Sequence, residues 1–386
     1  MKIVIAPDKF KNSLTSLEFC NIVEKQLKKE LPYANIVKLP LADGGDGTID
    51  IVKHYLNGET IKTKVCNPLF SKIEASYIYA PKYETAFIEM AEASGLKLLK
   101  PEQLDCKITS TFGTGQLILD ALNKGAKKII LGIGGSATND CGIGMATALG
   151  YRFLDKKGKT VNPIGQNLSS IKSIDISQAN PKIFTTDFKI ACDVTNPLYG
   201  KKGAAYVYAA QKGANHQDIL LLNKGLKDFS KLISQVFNID PQTIPGSGAA
   251  GGMGIASKIF LNGTLESGNK LIKQLSNFDN QIINADWIIT GEGKLDNQTL
   301  SGKTIQGVLD TSTKNNINVA VFCGAIDINE KSLKNMGINY ASQIINEAKN
   351  LDDAMQNTNI HLKTMTKKFI GHIKQLKQND VLKERL

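Results

Sequence analysis

The stretch from Gly291 to Lys303 carries the residues best suited to chemistry. It places two carboxylates, Glu292 and Asp296, among lysines and glycines directly after the apolar run Trp287–Thr290. Such a run predicts a buried strand. Glycines let backbone approach an anion, and carboxylates can hold a metal ion or accept a proton. The loop therefore predicts phosphate chemistry at the end of a strand.

The end of this loop, Ser301-Gly302-Lys303-Thr304, is similar to the tail of a P-loop. The full pattern, G-x-x-x-x-G-K, needs a glycine where this chain has Asn297. The pattern is therefore not met. We expect phosphate chemistry by a route other than that of the P-loop kinases.

Five apolar runs that indicate strands each lead into a loop with an acidic residue, often with glycine. The runs and the acidic residues after them are Ile3–Ala6 with Asp8, Ile36–Leu41 with Asp43 and Asp46, Ile129–Leu131 with Asp140, Lys189–Ala191 with Asp193, and Trp287–Thr290 with Glu292 and Asp296. In open α/β sheets, ligands bind outside the carboxyl ends of the strands. Acidic residues, lysines and glycines at that edge indicate an anionic substrate with a magnesium ion.

Each acidic residue also has a structural interpretation. Asp46 and Asp140 each precede a predicted helix, so either can be a helix N-cap. Asp8 can belong to a surface turn before Lys9. Asp193 directly follows an apolar run, where a buried carboxylate would need a partner. The coincidence of five such strand ends favours a shared functional role.

A glycine run allows a different interpretation of the chain. Gly132 to Ala137 fits the dinucleotide-binding pattern G-x-G-x-x-G/A, and Asp155 follows at about the distance of a ribose-binding acid. An NAD-dependent oxidoreductase acting on a small hydroxy acid is therefore an alternative. Against it, a dehydrogenase does not need acidic loops at several strand ends. A second match, Gly246–Gly251, lacks a good preceding strand and indicates helix packing or a backbone anion nest.

Alternating strand and helix patterns predict an α/β fold. Thr15 and Glu18 have capping-box spacing before a predicted helix over 16–29. A meander of three strands at about 60–90 interrupts the alternation and suggests an inserted domain. We predict a discontinuous Rossmann-like domain with a parallel sheet, residues 1–62 and 275–386, and an inserted mixed α/β domain, residues 63–274. The active site is expected in the cleft between them.

Charge and cysteine usage limit the classes of partner. The 386 residues carry a net charge of +11, but arginine occurs only at Arg152 and Arg385. Sequence-specific readers of nucleic acid draw on arginine forks and aromatic platforms, and neither is clustered here. The six cysteines form no CxxC pair, and no apolar run approaches a membrane span. We expect a cytoplasmic protein without nucleic-acid or membrane partners. A non-catalytic regulator that binds a sugar acid is a third interpretation of the chain.

Taken together in order, the strand-end motifs resemble those of the bacterial type I glycerate kinases. The matching segments are Ala6–Leu14, Ala42–Thr48, Gly113–Ile118, Gly132–Gly150, Asp193–Leu198, Pro245–Gly254 and Gly291–Lys303. They cover essentially the whole chain in register. Lys9, Asn12, Asp46 and Cys141 depart from the family pattern, where serine, glycine, glutamate and glycine stand. No departure removes a carboxylate from the strand ends.

The resemblance implies ATP-dependent phosphorylation of D-glycerate with Mg²⁺, with the 2-hydroxyl favoured as acceptor over the 3-hydroxyl. Catalytic roles are expected for Asp193 as general base, for Lys11 and for Asp296. The residues expected to bind substrate or phosphate are Asp8, Asp43, Gly134, Gly135, Ser136, Asn139 and Lys303. The expected metal ligands are Asp43, Glu292 and Asp296, with Asp43 and Asp296 also considered as base. We predict that Glu292, Asp296 and Lys303 face the same ligand as Asp43 and Asp193.

Overall fold

The structure is a computed structural model that describes residues 1–43, 48–296 and 304–383. Its strands are β1 (Lys2–Ile5), β2 (Asn35–Lys38), β3 (Glu59–Cys66), β4 (Lys72–Ala80), β5 (Thr85–Glu89), β6 (Lys128–Gly132), β7 (Arg152–Leu154), β8 (Ser173–Asp175), β9 (Asp187–Ala191), β10 (Thr264–Glu266), β11 (Trp287–Thr290), β12 (Lys294–Leu295), β13 (Asn318–Cys323), β14 (Ala325–Ile326) and β15 (Ile338–Gln343). The fold is α/β, as the alternating pattern predicts.

Helices connect most of these strands. They are α1 (Ser16–Glu30), α2 (Thr48–Leu56), α3 (Ala91–Ser94), α4 (Phe112–Asn123), α5 (Ile143–Ala148), α6 (Ala204–Tyr208), α7 (His216–Phe237), α8 (Ala249–Leu261), α9 (Gly268–Leu275), α10 (Phe278–Gln281), α11 (Thr304–Lys314), α12 (Glu330–Asn335), α13 (Leu351–Gln356) and α14 (Thr358–Lys383). The predicted capping box at the start of α1 is confirmed, because the Thr15 hydroxyl accepts from the Glu18 amide and the Glu18 carboxylate accepts from the Thr15 amide. No helix in the described part of the chain combines the length and apolarity of a bilayer span.

The chain forms two compact units. The first consists of Met1–Tyr55 and Asn269–Leu386, and the second is Leu56–Gly268. The sequence placed these boundaries after residues 62 and 274. The hairpin partner of β4 starts at Glu59, so the whole of β3 belongs to the second unit.

The first unit is built on a five-stranded parallel sheet with the order β15-β13-β11-β1-β2. Ile3, Val4 and Ile5 in β1 have no exposed surface, as expected for a central parallel strand covered on both faces. From β1 the chain goes to β2 on one side, and it later returns to β11 on the other. The boundary between β1 and β11 is therefore the topological switch point of a doubly wound sheet, where ligands bind.

Helices cover both faces of this sheet with apolar side chains. On one face, Phe19 in α1 and Phe369 in α14 pack against Phe322 and other core residues of the strands. On the other face, Ile305 and Leu309 in α11 cluster with the sheet. This packing fixes the strand ends, and so it fixes the loops that leave them.

The second unit contains a six-stranded mixed sheet with the order β10-β9-β6-β5-β4-β3. The predicted meander is confirmed, because β3, β4 and β5 pair antiparallel. From β5 onward the pairs β5–β6, β6–β9 and β9–β10 are parallel. The loops after β6 and β9 therefore leave neighbouring parallel strands at the same edge.

Candidate functional site

A cavity of about 400 Å³ lies in the first unit at the carboxyl ends of β1 and β11. Its charged lining residues are Asp8, Lys9, Lys11, Asp43, Glu292 and Lys294. Four of the predicted site residues (Asp8, Lys11, Asp43 and Glu292) thus line one cavity, although they come from three separate strand-end loops. The switch point of the sheet explains their convergence.

Short backbone bonds tie these loops together. The Asp8 amide donates to the Gly291 carbonyl at 2.8 Å, and the Leu41 amide donates to the Pro7 carbonyl at 2.8 Å. A Cβ added to Gly291 would lie 1.9 Å from the Phe322 carbonyl oxygen at the end of β13. Glycine is therefore required at 291 because the neighbouring backbone leaves no room for a side chain.

Asp8 is the most strongly perturbed carboxylate of this cavity. Its side chain is buried, and burial together with the nearby charge of Asp43 raises its pKa to about 6. Hydrogen bonds from the Thr304 hydroxyl (2.5 Å) and the Lys9 amide (2.7 Å) oppose this shift. A carboxylate of this kind can exchange a proton near neutral pH. The sequence pointed to Asp8 only as a binding residue.

Asp296, in the loop that follows β11, is less closely grouped with the cavity. Asp296 lies 3.8 Å from the Lys294 ammonium, which also lies 3.1 Å from Asp327. Asp296 is not among the residues that line the cavity. Lys303 and Asp46 fall outside the described residues.

The carboxylates of the cavity suit a magnesium ion that is delivered with phosphates. Among residues 1–43, 48–296 and 304–383, no three His, Cys, Asp or Glu side chains form a group that could hold a metal by themselves. Protein sites for Mg²⁺ commonly supply only one or two carboxylates, and substrate phosphates and water supply the rest. Asp43 and Glu292 could be the two carboxylates of such a site.

In the second unit, the loop after β6 exposes backbone amides. Within the described part of the chain, the N–H groups of Gly134 and Gly135 donate no hydrogen bond. Gly135 has a positive φ of 69°, and a Cβ on Gly134 would meet no atom within 4 Å. Free amides around a left-handed residue make an anion-binding concavity. The geometry therefore agrees with the predicted phosphate role of these glycines.

A buried lysine supports this loop, and sequence reasoning missed it. The Lys212 ammonium donates to the Ser136 hydroxyl and to the Thr138 carbonyl, both at 2.7 Å. Burial lowers the pKa of Lys212 to about 8. No carboxylate of the described residues lies within 4 Å of the ammonium. In the sequence, Lys212 is one lysine among many, and only its place among small residues sets it apart.

Neighbouring buried polar groups lack partners within the described residues. They are the Thr138 hydroxyl, both side-chain atoms of the Asn139 amide and the Ser247 hydroxyl. Such groups normally find a hydrogen-bond partner, since a buried polar atom without one costs free energy. Asn139 therefore remains a reasonable ligand-binding residue. Asp140, in contrast, accepts hydrogen bonds from Thr111 and from the Gly142 and Gly144 amides, so it ties two loops together. It is not the N-cap of α5, since that position is Gly142.

Asp193 follows β9 but is not buried. Its side chain is exposed, and its carboxylate accepts from the Gly268 amide at 2.9 Å. The two residues before it, Ala191 and Cys192, are already partly exposed. The chain therefore leaves the core before it reaches Asp193. Asp193 belongs to a different unit from Asp43 and Glu292. That the three residues contact one ligand stays a prediction.

The dinucleotide pattern does not have dinucleotide-binding geometry. The strand before Asp155, β7, pairs antiparallel with β8 in a separate two-stranded sheet, and it is not a parallel neighbour of β6. The Asp155 carboxylate accepts from the Lys157 and Lys159 amides at 2.7 and 2.9 Å, so it closes a local turn. It therefore does not stand where a ribose-binding acid would.

Comparisons with known proteins agree along the whole chain. The sequence model of the glycerate kinase family matches residues 3–374. A glycerate kinase from Halalkalibacterium halodurans is 42% identical over 92% of this chain and 93% of its own length. A glycerate 2-kinase from Escherichia coli is 39% identical over 92% and 93%. The crystal structure of a Salmonella typhimurium LT2 protein named glycerate kinase 2 superposes with a TM-score of 0.88 at 37% identity, covering 98% and 99% of the two chains.

Proposed function

The chain belongs to the glycerate kinase family, and we propose that it transfers the terminal phosphoryl group of ATP to D-glycerate. The observation that carries the proposal is the family match over residues 3–374. The 2-hydroxyl is the proposed acceptor, so the products are 2-phosphoglycerate and ADP. The similarity to the E. coli protein named glycerate 2-kinase supports this choice.

The reaction sets three requirements for the protein. The acceptor oxygen forms a bond to the γ-phosphorus, the bond from that phosphorus to the bridging oxygen breaks, and ADP leaves. The hydroxyl proton must pass to a base. Negative charge on the phosphates and on the glycerate carboxylate must be neutralised, which in this chain falls to lysines and backbone amides because arginine is almost absent.

Two carboxylates qualify as the base, for different reasons. Asp193 is our first candidate, because its exposed side chain is accessible to a substrate hydroxyl. Asp8 is the second, because its pKa of about 6 lies near the pH at which a base works best. Asp193→Asn separates the two candidates, because it should lower kcat only if Asp193 is the base.

Cationic and amide groups are assigned to the anions. Lys11 lines the cavity of the first unit, where it is proposed to bind phosphate or the glycerate carboxylate together with Lys303. Gly134, Gly135, Ser136 and Asn139 are proposed to bind an anionic group in the second unit. The unused amides of Gly134 and Gly135 support that assignment.

Magnesium is proposed to be held by Asp43 and Glu292, with Asp296 as a third candidate ligand. When bound, the ion would neutralise charge on the transferred phosphates. Asp43 and Glu292 then orient the phosphates in the cavity of the first unit. Asp8, beside Asp43, would be shifted toward its charged form by any cation in the cavity.

The proposal is tested by mixing the protein with Mg-ATP and D-glycerate and following ADP release. We expect turnover that requires both substrates, and a rate equal to the background would overturn the proposal. The position of the new phosphate is determined from phosphorus-to-proton coupling in the NMR spectrum of the product. Coupling to a single methine proton is expected for 2-phosphoglycerate, whereas coupling to two methylene protons would show the 3-isomer.

A further inference from the structure

One wall of the cavity in the first unit is apolar and has no role in the chemistry above. Its lining residues are Ile344, Ile345, Leu351, Ala354 and Met355. Ile344 and Ala354 are buried in the core, whereas Leu351 is 68% exposed, Met355 40% and Ile345 38%. The wall therefore exposes three large apolar side chains to solvent, next to two residues that are buried in the core.

Backbone and capping contacts hold this wall in place. The Ile345 amide donates to the Gly324 carbonyl at 3.1 Å, which fixes it to the end of β13. Leu351 is the first residue of α13, and the Asn350 side chain caps that helix. Leu351 and Met355 are one turn apart, so they share a helix face. The apolar surface is thus preformed.

The same cavity also has charged lining residues. Lys9, Lys11 and Lys294 lie there with the carboxylates already described. A cavity that combines apolar side chains with lysines suits a ligand that has a flat apolar body and an anionic tail. The volume of about 400 Å³ is within the range of small-molecule sites. Glycerate alone, a small acid with two hydroxyls, has no apolar body to cover three exposed side chains.

We infer that the base and ribose of ATP bind against Ile345, Leu351 and Met355, with the phosphates directed toward Lys9, Lys11 and Lys294. This inference rests on the proposed kinase activity and assigns the nucleotide to the first unit. The apolar wall contacts the base, and the lysines neutralise the phosphates. The contact is hydrophobic, so it contributes to nucleotide affinity and leaves the chemical step unchanged.

Three variants test the assignment through steady-state kinetics. Leu351→Ser and Met355→Ser each remove an aliphatic contact from the wall. We expect each to raise the KM for ATP about tenfold, with the KM for glycerate and the kcat within about twofold of the parent. The matched control is Ile360→Ser, since Ile360 is 54% exposed on α14 and does not line the cavity. Its KM for ATP should not change.

Direct binding gives a second readout. A fluorescent N-methylanthraniloyl ATP is titrated into each protein, and adenosine, which has no phosphates, is added as competitor. We expect adenosine to displace the probe from the parent and the Leu351→Ser variant to bind the probe about tenfold more weakly. Circular dichroism melting curves check that Leu351→Ser, Met355→Ser and Ile360→Ser are folded.

The failures of the two proposals are distinguishable. If the parent turns over ATP and glycerate while neither wall variant changes the KM for ATP or probe binding, the nucleotide assignment is overturned and the kinase function stands. An equal rise in the control would also overturn it. If the parent has no ATP-dependent turnover, the kinase function itself falls.

Discussion

The two units present chemically different surfaces at their strand ends. The cavity of the first unit gathers carboxylates, including the buried Asp8 with its raised pKa. The loop after β6 in the second unit offers the amides of Gly134 and Gly135, which donate to none of the described residues, and Lys212 lies buried beneath it. The first surface combines carboxylates, which can hold a cation or a proton, with lysines that can bind phosphate, whereas the second offers backbone amides to an anion. Five acidic strand ends therefore do not have five equivalent roles.

Asp140 and Asp8 make this contrast concrete. Both are buried carboxylates that follow a strand. Asp140 accepts from the amide and hydroxyl of Thr111 and from the Gly142 and Gly144 amides, so it joins its own loop to the start of α4. From the described residues Asp8 accepts two hydrogen bonds, and it lines a cavity. We therefore predict that the number of filled acceptor sites, more than burial, distinguishes a structural carboxylate such as Asp140 from a functional one such as Asp8.

The largest expected effect is that of removing the proposed base from the second unit. Asp193→Asn should lower kcat by about 10²–10⁴-fold, because no group would take the hydroxyl proton. The control is Asp187→Asn, at the other end of β9, which should stay near the parental rate. Stopped assays of ADP release at saturating substrates measure both. A rate for Asp193→Asn within a few-fold of the parent would transfer the base role to Asp8.

A smaller effect is expected from the buried lysine. The charge of Lys212, whose pKa is about 8, is lost as the pH rises through that value. The KM for the bound anionic substrate should therefore rise above pH 8 in the parent. In Lys212→Met it should already be about 10–100-fold higher and should not depend on pH in this range.

The pH profile decides between electrostatic and structural roles for Lys212. KM values for ATP and for glycerate are measured from pH 6.5 to 9.5 in both proteins. A purely structural lysine would give a variant with a uniformly poor KM and the same pH dependence as the parent. That result would contradict an anion-binding role for the loop after β6.

Asp8 should reduce the stability of the ligand-free protein at neutral pH. Its pKa is about 6 in the folded state and 3.8 in the unfolded chain, so the folded state holds more protons between these values. Stability is therefore lost as the pH rises from about 4 to 6, and the loss is complete above 6. Asp8→Asn should remove a cost of about 3 kcal/mol at pH 8 and almost none below pH 4.

Thermal melting at pH 8 and pH 4 tests the sign for Asp8. Asp155→Asn is the matched comparison, because hydrogen bonds from the Lys159 and Lys157 amides lower the pKa of Asp155. That substitution should lower the melting temperature at pH 8. If Asp8→Asn melted below the parent at pH 8, the burial cost assigned to Asp8 would be wrong.

The smallest effects are expected at two glycines with different surroundings. Gly291→Ala should destabilise the protein by about 1–3 kcal/mol, because its Cβ would overlap the Phe322 carbonyl. Gly134→Ala should change stability by less than about 0.5 kcal/mol, since no atom lies within 4 Å of its Cβ. Urea denaturation measures both, and equal costs would remove the distinction between a packing glycine and an open one.

Much of the fold follows from local patterns. The apolar run Trp287–Thr290 is a buried strand, Thr15 and Glu18 cap α1, and the alternating segments at about 60–90 form antiparallel strands. Short-range physics decides these features: side-chain period, capping spacing and β propensity. The strand pair β7–β8 shows the limit, because the same local signals before Asp155 suggested a dinucleotide fold that the pairing does not form.

The sequence by itself determined the family of this protein and the chemical character of its strand-end loops. Those are properties of residue types in order, and motif order survives without coordinates. Only the tertiary structure decided that Asp8, Asp43 and Glu292 line one cavity with an apolar wall, since the order of strands in the sheet brings them together. It also decided that Asp193 is exposed and that Lys212 lies under Ser136. Burial and long-range contact arise from packing between distant segments, which no local pattern records.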